Sequence, residues 1–287
     1  MLLTIITINY NNAAGLQKTV ESVVNQTSHD FEYIIVDGAS TDGSVEFLQT
    51  FKLSNFQTLN FISEPDSGIY NAMNKGIRMA KGDYIHFLNS GDWLVDEQVI
   101  EKMLKHIKNQ EPRVKSQDIE NQIDILVGNV ISVRPDGKRR YKQNTKEVSL
   151  YTFYRGTIEH TSAYLRRALF DHFGLYDESL RIVSDWKWYL QVAGLRKANV
   201  KFTDTYVTCF DTTGISSTNL KLDRAERRQV LEELLPAPIL ADYDKYSFDI
   251  DQMQRLKKYP VFYKMVWFIE RLLFKLDKWV LKNREWK

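Results

Sequence analysis

Two predicted strands of this chain end in carboxylates that could do chemistry. Asp37 follows the buried run Phe31–Val36, and Asn89-Ser90-Gly91-Asp92 follows the run Asp83–Leu88. If the strands are parallel, their carboxyl ends share the edge at which open α/β sheets bind ligands. A carboxylate at that edge can hold a divalent cation and, through the cation, a diphosphate. The alternative is structural: Asp92 would cap the next helix, and Asp37 would close a turn.

The sequence lacks the glycine-rich loops that bind phosphates through backbone amides. There is no G-x-G-x-x-G after the first strand and no G-x-x-x-x-G-K-[ST] anywhere in the chain. This argues against a dinucleotide-binding fold and against a phosphate-loop NTPase. A bound diphosphate would therefore need a metal, for which Asp92 is the candidate ligand, while Asp37 is suited to hydrogen-bond a base or ribose.

Hydrophobic patterning predicts an α/β fold whose first ninety residues alternate strand and helix four times. That alternation predicts a doubly wound, mostly parallel sheet with right-handed crossovers. Predicted strands span 2–8, 31–36, 59–62, 83–88, a hairpin at 123–133 and 138–142, 158–165 with His160 inside it, and 206–210. Predicted helices include 45–51, 69–80, 96–107, 166–173 and 185–192. Residues 108–122 are polar and irregular, and residues 231–247, with two prolines, are predicted to be a loop.

Composition indicates an ordinary globular protein with a basic tail. Hydrophobic residues make up 43% and charged residues 26% of the 287 residues, and the formal net charge is +2. Ten Lys and Arg residues and only three acids fall between Arg255 and Lys287, so this tail carries +7 and the rest of the chain −5. The single cysteine, Cys209, excludes an internal disulfide and a Cys-based zinc site. With no signal peptide and no membrane-spanning apolar run, we expect a cytoplasmic protein.

The basic tail contains a predicted amphipathic helix at residues 261–283, preceded by Pro260. Apolar side chains recur on one face, with tryptophans among lysines and arginines, a pattern typical of helices that lie in a membrane interface. The alternative is a helix packed on the protein's own core or on a second subunit, which leaves a homodimer open. Because the basic charge falls in one helix and not across a folded face, we expect no nucleic-acid partner.

Six motifs in order give the chain a family resemblance. They are TINYNN, VDGASTDGS, SEPDSGIYNAMNKGIRMAKGDYIHFLNSGD, EHTSAYLRR, GLYDESLRIVSDWKWYLQVAG and TTGISS. Over residues 1–220 the sequence resembles family 2 glycosyltransferases with the Rossmann-like GT-A fold, above all bacterial enzymes of exopolysaccharide, colanic-acid-type, capsule or O-antigen assembly. The resemblance implies a GT-A domain with a nucleotide-binding half at 1–95 and an acceptor-binding half at 96–220. Residues 221–287 would form a C-terminal helical extension.

The resemblance also implies roles for residues of the donor site. The positions that match nucleotide- and donor-binding residues are Thr7, Asn9, Tyr10, Asp37, Asp66, Asn74, Asn89, Ser90 and Gly91. Asp92 matches the carboxylate that lies next to the metal in the family, and the metal would be Mn or Mg. The sequence departs from the family pattern at two points. Gly38 stands where many members have a second Asp, and only the last Asp remains of the usual Asp-x-Asp-Asp motif.

Asp185 matches the family's catalytic base, and the resemblance implies an inverting reaction. A carboxylate at a helix start can deprotonate an acceptor hydroxyl as its oxygen attacks the anomeric carbon of the sugar. The alternative is a helix N-terminal carboxylate that interacts with the helix dipole. His160 and Ser216 match positions that could contact the acceptor or the diphosphate, although a lone histidine in a strand is more often a core residue.

We therefore expect an inverting glycosyltransferase that uses a nucleotide-sugar donor, with UDP-sugars favoured, and a divalent metal. The family implies a polyprenyl-diphosphate-linked saccharide acceptor, met at the cytoplasmic face of the inner membrane during surface polysaccharide (capsule, lipopolysaccharide) synthesis. One alternative is a sugar nucleotidyltransferase, which would need a basic, glycine-rich loop where Asn9–Asn12 stands. The other alternative is a module that only binds a nucleotide-sugar. The presence of Asp185, which matches the catalytic base, argues against it.

Overall fold

A computed structural model describes residues 2–54, 59–110, 122–144 and 147–284 of the chain. The chain forms two compact units, Met1–Val230 and Leu231–Lys287. The first unit ends at Val230 and not at the predicted residue 220, because most of a helix that begins at Leu220 belongs to it. The predicted halves at 1–95 and 96–220 contribute strands to one continuous sheet.

The first half of the sheet is parallel, as the alternation of strands and helices predicts. Strands β1 (Leu3–Asn9), β2 (Phe31–Asp37), β3 (Leu59–Ser63) and β4 (Tyr84–Phe87) lie in the order β3-β2-β1-β4. Helices α1 (Ala13–Val24), α2 (Ser44–Ser54) and α3 (Ile69–Met79) separate them along the chain. Every residue of β1 and β2 is buried, which explains their continuous apolar runs. The register pairs Asn9 with Asp37, so these two strands end side by side.

The second half of the sheet is mixed. Its strands are β5 (Trp93–Leu94), β6 (Ile125–Val133), β7 (Arg139–Lys142), β8 (Ala163–Arg166) and β9 (Val200–Asp211). Its helices are α4 (Val99–Gln110), α5 (Leu150–Arg155), α6 (Ala168–Phe173), α7 (Ser184–Tyr189) and α8 (Ile215–Thr218). Strand β8 is antiparallel to β4 and β6, while β9 is parallel to β6 and antiparallel to β5. β6 and β7 form the predicted hairpin, and the predicted α/β fold class is confirmed.

Several local predictions differ from the structure. His160 does not lie in a strand: His160–Ser162 is a 3₁₀ turn, closed by a hydrogen bond from Ser162 N to the Glu159 carbonyl, and β8 begins only after it. β9 begins at Val200, six residues before the predicted start. The helix that contains Asp185 continues as a π-helix at Leu190–Leu195. Of the predicted irregular segment at 108–122, residues 111–121 lie outside the described part of the chain.

The predicted loop at 231–247 is helical. Helix α9 (Leu220–Leu234) is followed by α10 (Ala237–Lys257) and α11 (Pro260–Arg284). Pro236 caps α10 and Pro238 lies in its first turn, where a missing backbone N–H has no partner to lose, so these prolines start a helix. Helix α11 matches the predicted amphipathic helix. Among the described residues, no helix is both long and apolar enough to cross a membrane.

Candidate active site

A cavity of about 930 Å³ lies at the carboxyl edge of β1, β2 and β4. Its wall is formed by the loops after β1, β2, β4 and β9, by residues 157–161, by residues at the start of α7 and by two residues of α9. The predicted site residues on the wall are Asn9, Tyr10, Asp66, Asn89, Ser90, Asp92, His160, Asp185 and Ser216. Residues far apart in the sequence therefore meet around one space large enough for a substrate-sized ligand.

Asp37 lies one layer behind the cavity wall. It is fully buried, and its carboxylate accepts hydrogen bonds from Asn9 Nδ2 (2.8 Å), Ser40 Oγ (2.6 Å) and Ser63 Oγ (2.7 Å). Burial raises the pKa of Asp37, but these hydrogen bonds outweigh burial and leave the pKa below its usual value, so the group stays ionised. Asp37, predicted to hydrogen-bond the base or ribose of the donor, does not itself line the cavity and accepts a hydrogen bond from the amide of Asn9, which does.

Gly38 leaves room for its neighbours on the wall. A Cβ added at Gly38 would lie 2.6 Å from Asp66 Oδ2, closer than real Cβ atoms approach, and 3.1 Å from Tyr10 Cδ2, which would have to move by a few tenths of an ångström. Tyr10 and Asp66 both line the cavity, and the Tyr10 side chain is 68% exposed, so its ring is available for stacking. The departure from the family pattern at Gly38 thus has a physical reason, since a larger residue would displace two wall residues.

Besides Asp37, three predicted donor residues do not line the cavity: Thr7, Asn74 and Gly91. Thr7 is buried and donates a 2.7 Å hydrogen bond to the Leu88 carbonyl, which ties β1 to the end of β4. The Asn74 amide is paired with both backbone groups of Tyr176, accepting from its N at 3.0 Å and donating to its O at 2.9 Å. Gly91 has φ of +102°, which favours glycine and turns the chain between β4 and β5. Thr7 and Asn74 form hydrogen bonds within the protein, and Gly91 forms a turn, so these three residues determine the shape of the site.

Asp92 occupies a buried corner of the cavity with Asp211, a residue that sequence reasoning missed. Asp92 is 4% exposed, and its Oδ1 accepts a 2.8 Å hydrogen bond from Asp211 N. Burial raises the pKa of Asp92 to about 8, and the Asp211 carboxylate adds to the rise, although the Asp211 N–H and Lys18 oppose it. Asp211 lies at the end of β9, the strand that pairs with β5, and also lines the cavity.

This corner fits a divalent cation that arrives with a diphosphate. Among the described residues, no group of three or more His, Cys, Asp or Glu side chains is arranged to hold a metal ion. Two carboxylates are nevertheless what Mg²⁺ or Mn²⁺ commonly takes from a protein when substrate phosphates supply the remaining ligands. Burial raises the pKa of Asp92, and the positive charge of a divalent cation would favour its ionised form.

Asp185 lies in the first turn of α7, is half-buried and lines the cavity. No side chain caps the start of this helix. Its Oδ1 accepts a 2.8 Å hydrogen bond from the hydroxyl of Tyr70, a residue of α3 that sequence reasoning did not single out. Burial raises the pKa of Tyr70 well above its ordinary range, and the charge of Asp185 raises it further, so Tyr70 stays protonated and able to donate. Among the residues that the structure describes, none donates a hydrogen bond to Asp185 Oδ2.

His160 lines the cavity and lies close enough to Asp185 for the carboxylate to affect it. Its Nε2 is 3.1 Å from the Tyr176 hydroxyl, and its ring stacks on Phe87 at 5.1 Å between centroids. Burial lowers the pKa of His160, which the charge of Asp185 opposes only in part, so the imidazole is neutral at physiological pH. His160 is therefore both packed in the core and present on the cavity wall.

Helix α9 adds residues that sequence reasoning missed because nothing in its charged sequence marks a site. The Arg227 guanidinium lies 4.7 Å over the Trp186 ring, donates to the Gly156 carbonyl at 3.0 Å and pairs with Asp223 at 3.2 Å. Arg227 and Asp223 both line the cavity. Trp186 is itself 1% exposed and donates through Nε1 to backbone carbonyls, so it is a core residue whose edge meets the cavity.

Ser216 belongs to α8, in the segment that follows β9. It is exposed and lines the cavity together with Thr213 and Gly214. The segment is anchored at its start, where Thr212 N donates to the Val133 carbonyl at 3.1 Å and Thr213 N donates to Asp211 Oδ1 at 2.9 Å. These two hydrogen bonds hold Asp211 in place, while Ser216 is an exposed residue of the cavity wall.

Comparison with known proteins identifies the family. The model of glycosyl transferase family 2 matches residues 4–174, so the chain belongs to this family and is a glycosyltransferase. This confirms the resemblance found in the sequence motifs. The matched region contains the loops after β1, β2 and β4 that line the cavity.

Individual relatives agree with this assignment. A PGL/p-HBAD biosynthesis glycosyltransferase of Mycobacterium bovis is 27% identical over 190 residues, which cover 66% of this chain and 69% of the relative. The crystal structure of Staphylococcus aureus TarS matches with a TM-score of 0.60 at 18% identity, over 81% of this chain but only 42% of TarS. TarS has also been solved with UDP and with UDP-GlcNAc.

A third similar protein is a mannosyltransferase of Pyrobaculum calidifontis, solved with GDP-Man and Mn²⁺. It matches with a TM-score of 0.58 at 15% identity, over 80% of this chain and 63% of that chain. At such identities the two solved structures establish a shared fold, which is GT-A.

Proposed function

We propose that this glycosyltransferase moves a sugar from a nucleotide-sugar, with UDP-sugars favoured, to an acceptor hydroxyl with inversion at the anomeric carbon. The observation that carries the proposal is that one cavity is lined by Asn9 and Tyr10 after β1, by Asp92 after β4 and by Asp185 at the start of α7. A nucleotide-sugar would place its nucleoside at the first group and its diphosphate at the second. The sugar would then lie towards Asp185.

In this scheme Asp185 is the catalytic base. It takes the proton of the acceptor hydroxyl while the hydroxyl oxygen attacks the anomeric carbon of the donor sugar. The bond from that carbon to the diphosphate oxygen breaks, and its electron pair leaves with the nucleoside diphosphate. Attack from the face opposite the leaving group inverts the anomeric centre. The Tyr70 hydrogen bond occupies Asp185 Oδ1 and leaves Oδ2 to receive the proton.

The diphosphate end of the donor would meet Asp92 and Asp211, which we propose as ligands of Mn²⁺ or Mg²⁺. When bound, the cation would supply positive charge to stabilise the departing diphosphate. Support comes from the buried Asp92 and the half-buried Asp211, whose backbone N donates to it, and from the Mn²⁺ in the similar mannosyltransferase structure. UDP as the nucleotide is supported by the complexes of TarS.

We propose a lipid-linked saccharide, of the polyprenyl-diphosphate class, as acceptor, met at the cytoplasmic face of the inner membrane. Support comes from α11, where eight exposed apolar side chains fall on one stripe at 3.6 residues per turn: Val261, Phe262, Met265, Val266, Ile269, Leu272, Leu273 and Leu276. Three more exposed aromatic side chains, Trp267, Phe268 and Phe274, lie among the basic residues on the other side. Lys264, Arg271, Lys275 and Lys278 lie on the other side of the helix. Such a helix suits an anionic membrane surface, where each basic residue contributes about 1 kcal/mol. The mycobacterial relative, named for PGL biosynthesis, is consistent with an acceptor of this class.

The transfer proposal is tested by incubating the protein with labelled UDP-sugars, Mn²⁺ and a bacterial lipid extract. We expect label from one UDP-sugar to enter the lipid fraction with wild-type protein and not with Asp185→Asn. A matched control is Asp171→Asn, an exposed aspartate on α6 away from the cavity, which should transfer like the wild type. Transfer by Asp185→Asn at the wild-type rate would contradict the role of Asp185.

The membrane proposal is tested by flotation with vesicles of phosphatidylcholine alone or with phosphatidylglycerol. We expect binding only to the anionic vesicles, and loss of binding when Lys264 and Lys275 are both changed to Glu. The control changes Lys105 and Lys108, exposed on α4, in the same way and should bind like the wild type. Equal binding of both double variants would show that α11 does not contact the membrane through its basic side.

A further inference from the structure

We propose that Tyr70 and Glu226 are positioning residues of Asp185, which hold the segment 181–185 from two separate helices. The inference rests on the proposed role of Asp185 as the base and adds the means by which that base is held. Tyr70 belongs to α3 and Glu226 to α9, so neither is close to Asp185 in sequence.

Glu226 binds the backbone that leads into α7. It is 7% exposed, and its carboxylate accepts hydrogen bonds from Arg181 N (2.8 Å), Ile182 N (2.9 Å) and Val183 N (3.3 Å). Three successive backbone N–H groups that converge on one carboxylate form a rigid anion-binding nest. Hydrogen bonds of this charged kind are roughly twice as strong as neutral ones, so they fix the course of the chain just before Asp185.

The local sequence cannot hold this segment by itself. The residue that caps α7 is Val183, whose side chain has no hydrogen-bonding atom, and no side-chain cap is present at this helix start. Helix starts normally take such a partner from Ser, Thr, Asp or Asn. Glu226, on a distant helix, does not replace this cap but binds the three backbone N–H groups of residues 181–183, just before the first turn. We infer that the geometry of the base depends on α9.

Tyr70 holds the same segment from the other side and contacts the carboxylate directly. Its side chain is 4% exposed, and its hydroxyl oxygen lies 2.5 Å from the Ile182 carbonyl and 2.8 Å from Asp185 Oδ1. A tyrosine hydroxyl has one proton, so it is shared between a backbone acceptor and the base. This ties the rotation of the Asp185 side chain to the backbone that Glu226 also holds, and leaves Oδ2 outside the Tyr70 hydrogen bond.

Because catalysis requires the base within a few tenths of an ångström of its working position, loosening this arrangement should lower kcat and spare donor binding. We expect Tyr70→Phe and Glu226→Gln each to lower kcat at least tenfold. The donor KM and the UDP dissociation constant should stay within about twofold of the wild type, because neither residue touches the proposed nucleoside or diphosphate positions.

Each of the two variants has a matched control, which lies in a strand of the sheet and away from Asp185. Tyr84→Phe removes a buried hydroxyl that donates to the Ile123 carbonyl, and Glu32→Gln removes a buried carboxylate that accepts from Thr4 Oγ1 and Lys81 N. Both controls should retain the wild-type kcat. If Glu226→Gln does not fold, Tyr70→Phe still tests the proposal, because it removes one oxygen and keeps the ring that packs on Tyr176.

Coupling to Asp185 separates positioning from a general structural effect. In the Asp185→Asn background, Tyr70→Phe should cause no further loss of the residual rate, measured at high enzyme concentration and long incubation, whereas an independent structural defect would multiply the two losses. Wild-type kcat in Tyr70→Phe, with Asp185→Asn inactive, would overturn the positioning role and leave the base assignment standing. Full activity of Asp185→Asn would instead overturn the base assignment itself.

Discussion

The buried corner at Asp92 makes the stability of this protein depend on pH in an unusual direction. In the folded protein burial raises the pKa of Asp92 to about 8 from an ordinary value of 3.8, so folding favours the protonated form. Below about pH 4 Asp92 is protonated in both states. As the pH rises towards 8, the unfolded chain ionises Asp92 and the folded chain does not, so stability falls over this window.

The size of the effect follows from the two pKa values. One pKa unit corresponds to 1.36 kcal/mol, so the penalty accumulates at about 1.4 kcal/mol per pH unit between pH 5 and 7 and totals roughly 3 kcal/mol over that range. Asp92→Asn removes the ionisable group but keeps an oxygen that can accept the hydrogen bond from Asp211 N. We therefore expect the free energy of unfolding of Asp92→Asn, relative to wild type, to increase by that amount from pH 5 to pH 7.

Urea unfolding at pH 5, 6 and 7, followed by tryptophan fluorescence with EDTA present, measures the difference. Asp37→Asn is the matched control. Hydrogen bonds hold the pKa of Asp37 below its usual value, so its stabilising contribution is lost only below about pH 4 and its difference from wild type should be flat between pH 5 and 7. A pH-independent difference for Asp92→Asn would refute the reasoning that Asp92 is a buried, protonated carboxyl.

Three further outcomes are expected. The affinity for Mn²⁺, measured by calorimetry, should rise about tenfold per pH unit from pH 6 to 7.5, because the proton must leave Asp92 before a cation binds, and Asp92→Asn should abolish this slope. Gly38→Ala should weaken UDP binding at least fivefold with little change in melting temperature, because its Cβ would displace the side chains of Asp66 and Tyr10; unchanged binding would contradict their placement. Gly82→Ala should lower the free energy of unfolding by about 3 kcal/mol or more, because its Cβ would lie 2.5 Å from the backbone N of Thr4, which cannot move aside. Gly214→Ala, with no atom within 4 Å of the added Cβ, is the control and should be neutral in stability.

Much of the first half of the fold could be predicted from the sequence because its signals are local. Strands β1 and β2 are buried on both faces and therefore read as unbroken apolar runs, each followed by polar turn residues. The second half is harder because its pairings are not local. The apolar residues around His160 fit a strand pattern, yet a backbone hydrogen bond between Ser162 and Glu159 closes a turn there first. Pro236 and Pro238 look like helix breakers until their positions, at the cap and in the first turn of α10, are known.

The same division holds for the candidate site. Asn9, Asp92 and Asp185 follow strands or start a helix, so topology alone brings them towards one edge, and all three line the cavity. Asp37 sits at the same edge, but whether its oxygens face a ligand or neighbouring side chains depends on contacts with Ser40 and Ser63 that no spacing rule predicts. Tyr70, Glu226, Arg227 and Asp211 were missed for the same reason. Each acquires its role from a tertiary contact, such as that between Tyr70 and Asp185, which are 115 residues apart.

The central claim is that the cavity binds a nucleoside diphosphate between the loop after β1 and the corner at Asp92. The most direct test is a calorimetric titration of UDP, with GDP and ADP for comparison, in the presence of Mn²⁺. We predict saturable binding of UDP that is weakened in Gly38→Ala and in Asp92→Asn and is unchanged in Asp185→Asn, because the base lies beyond the diphosphate. Absence of binding by any of these nucleotides to the folded wild-type protein would contradict the account.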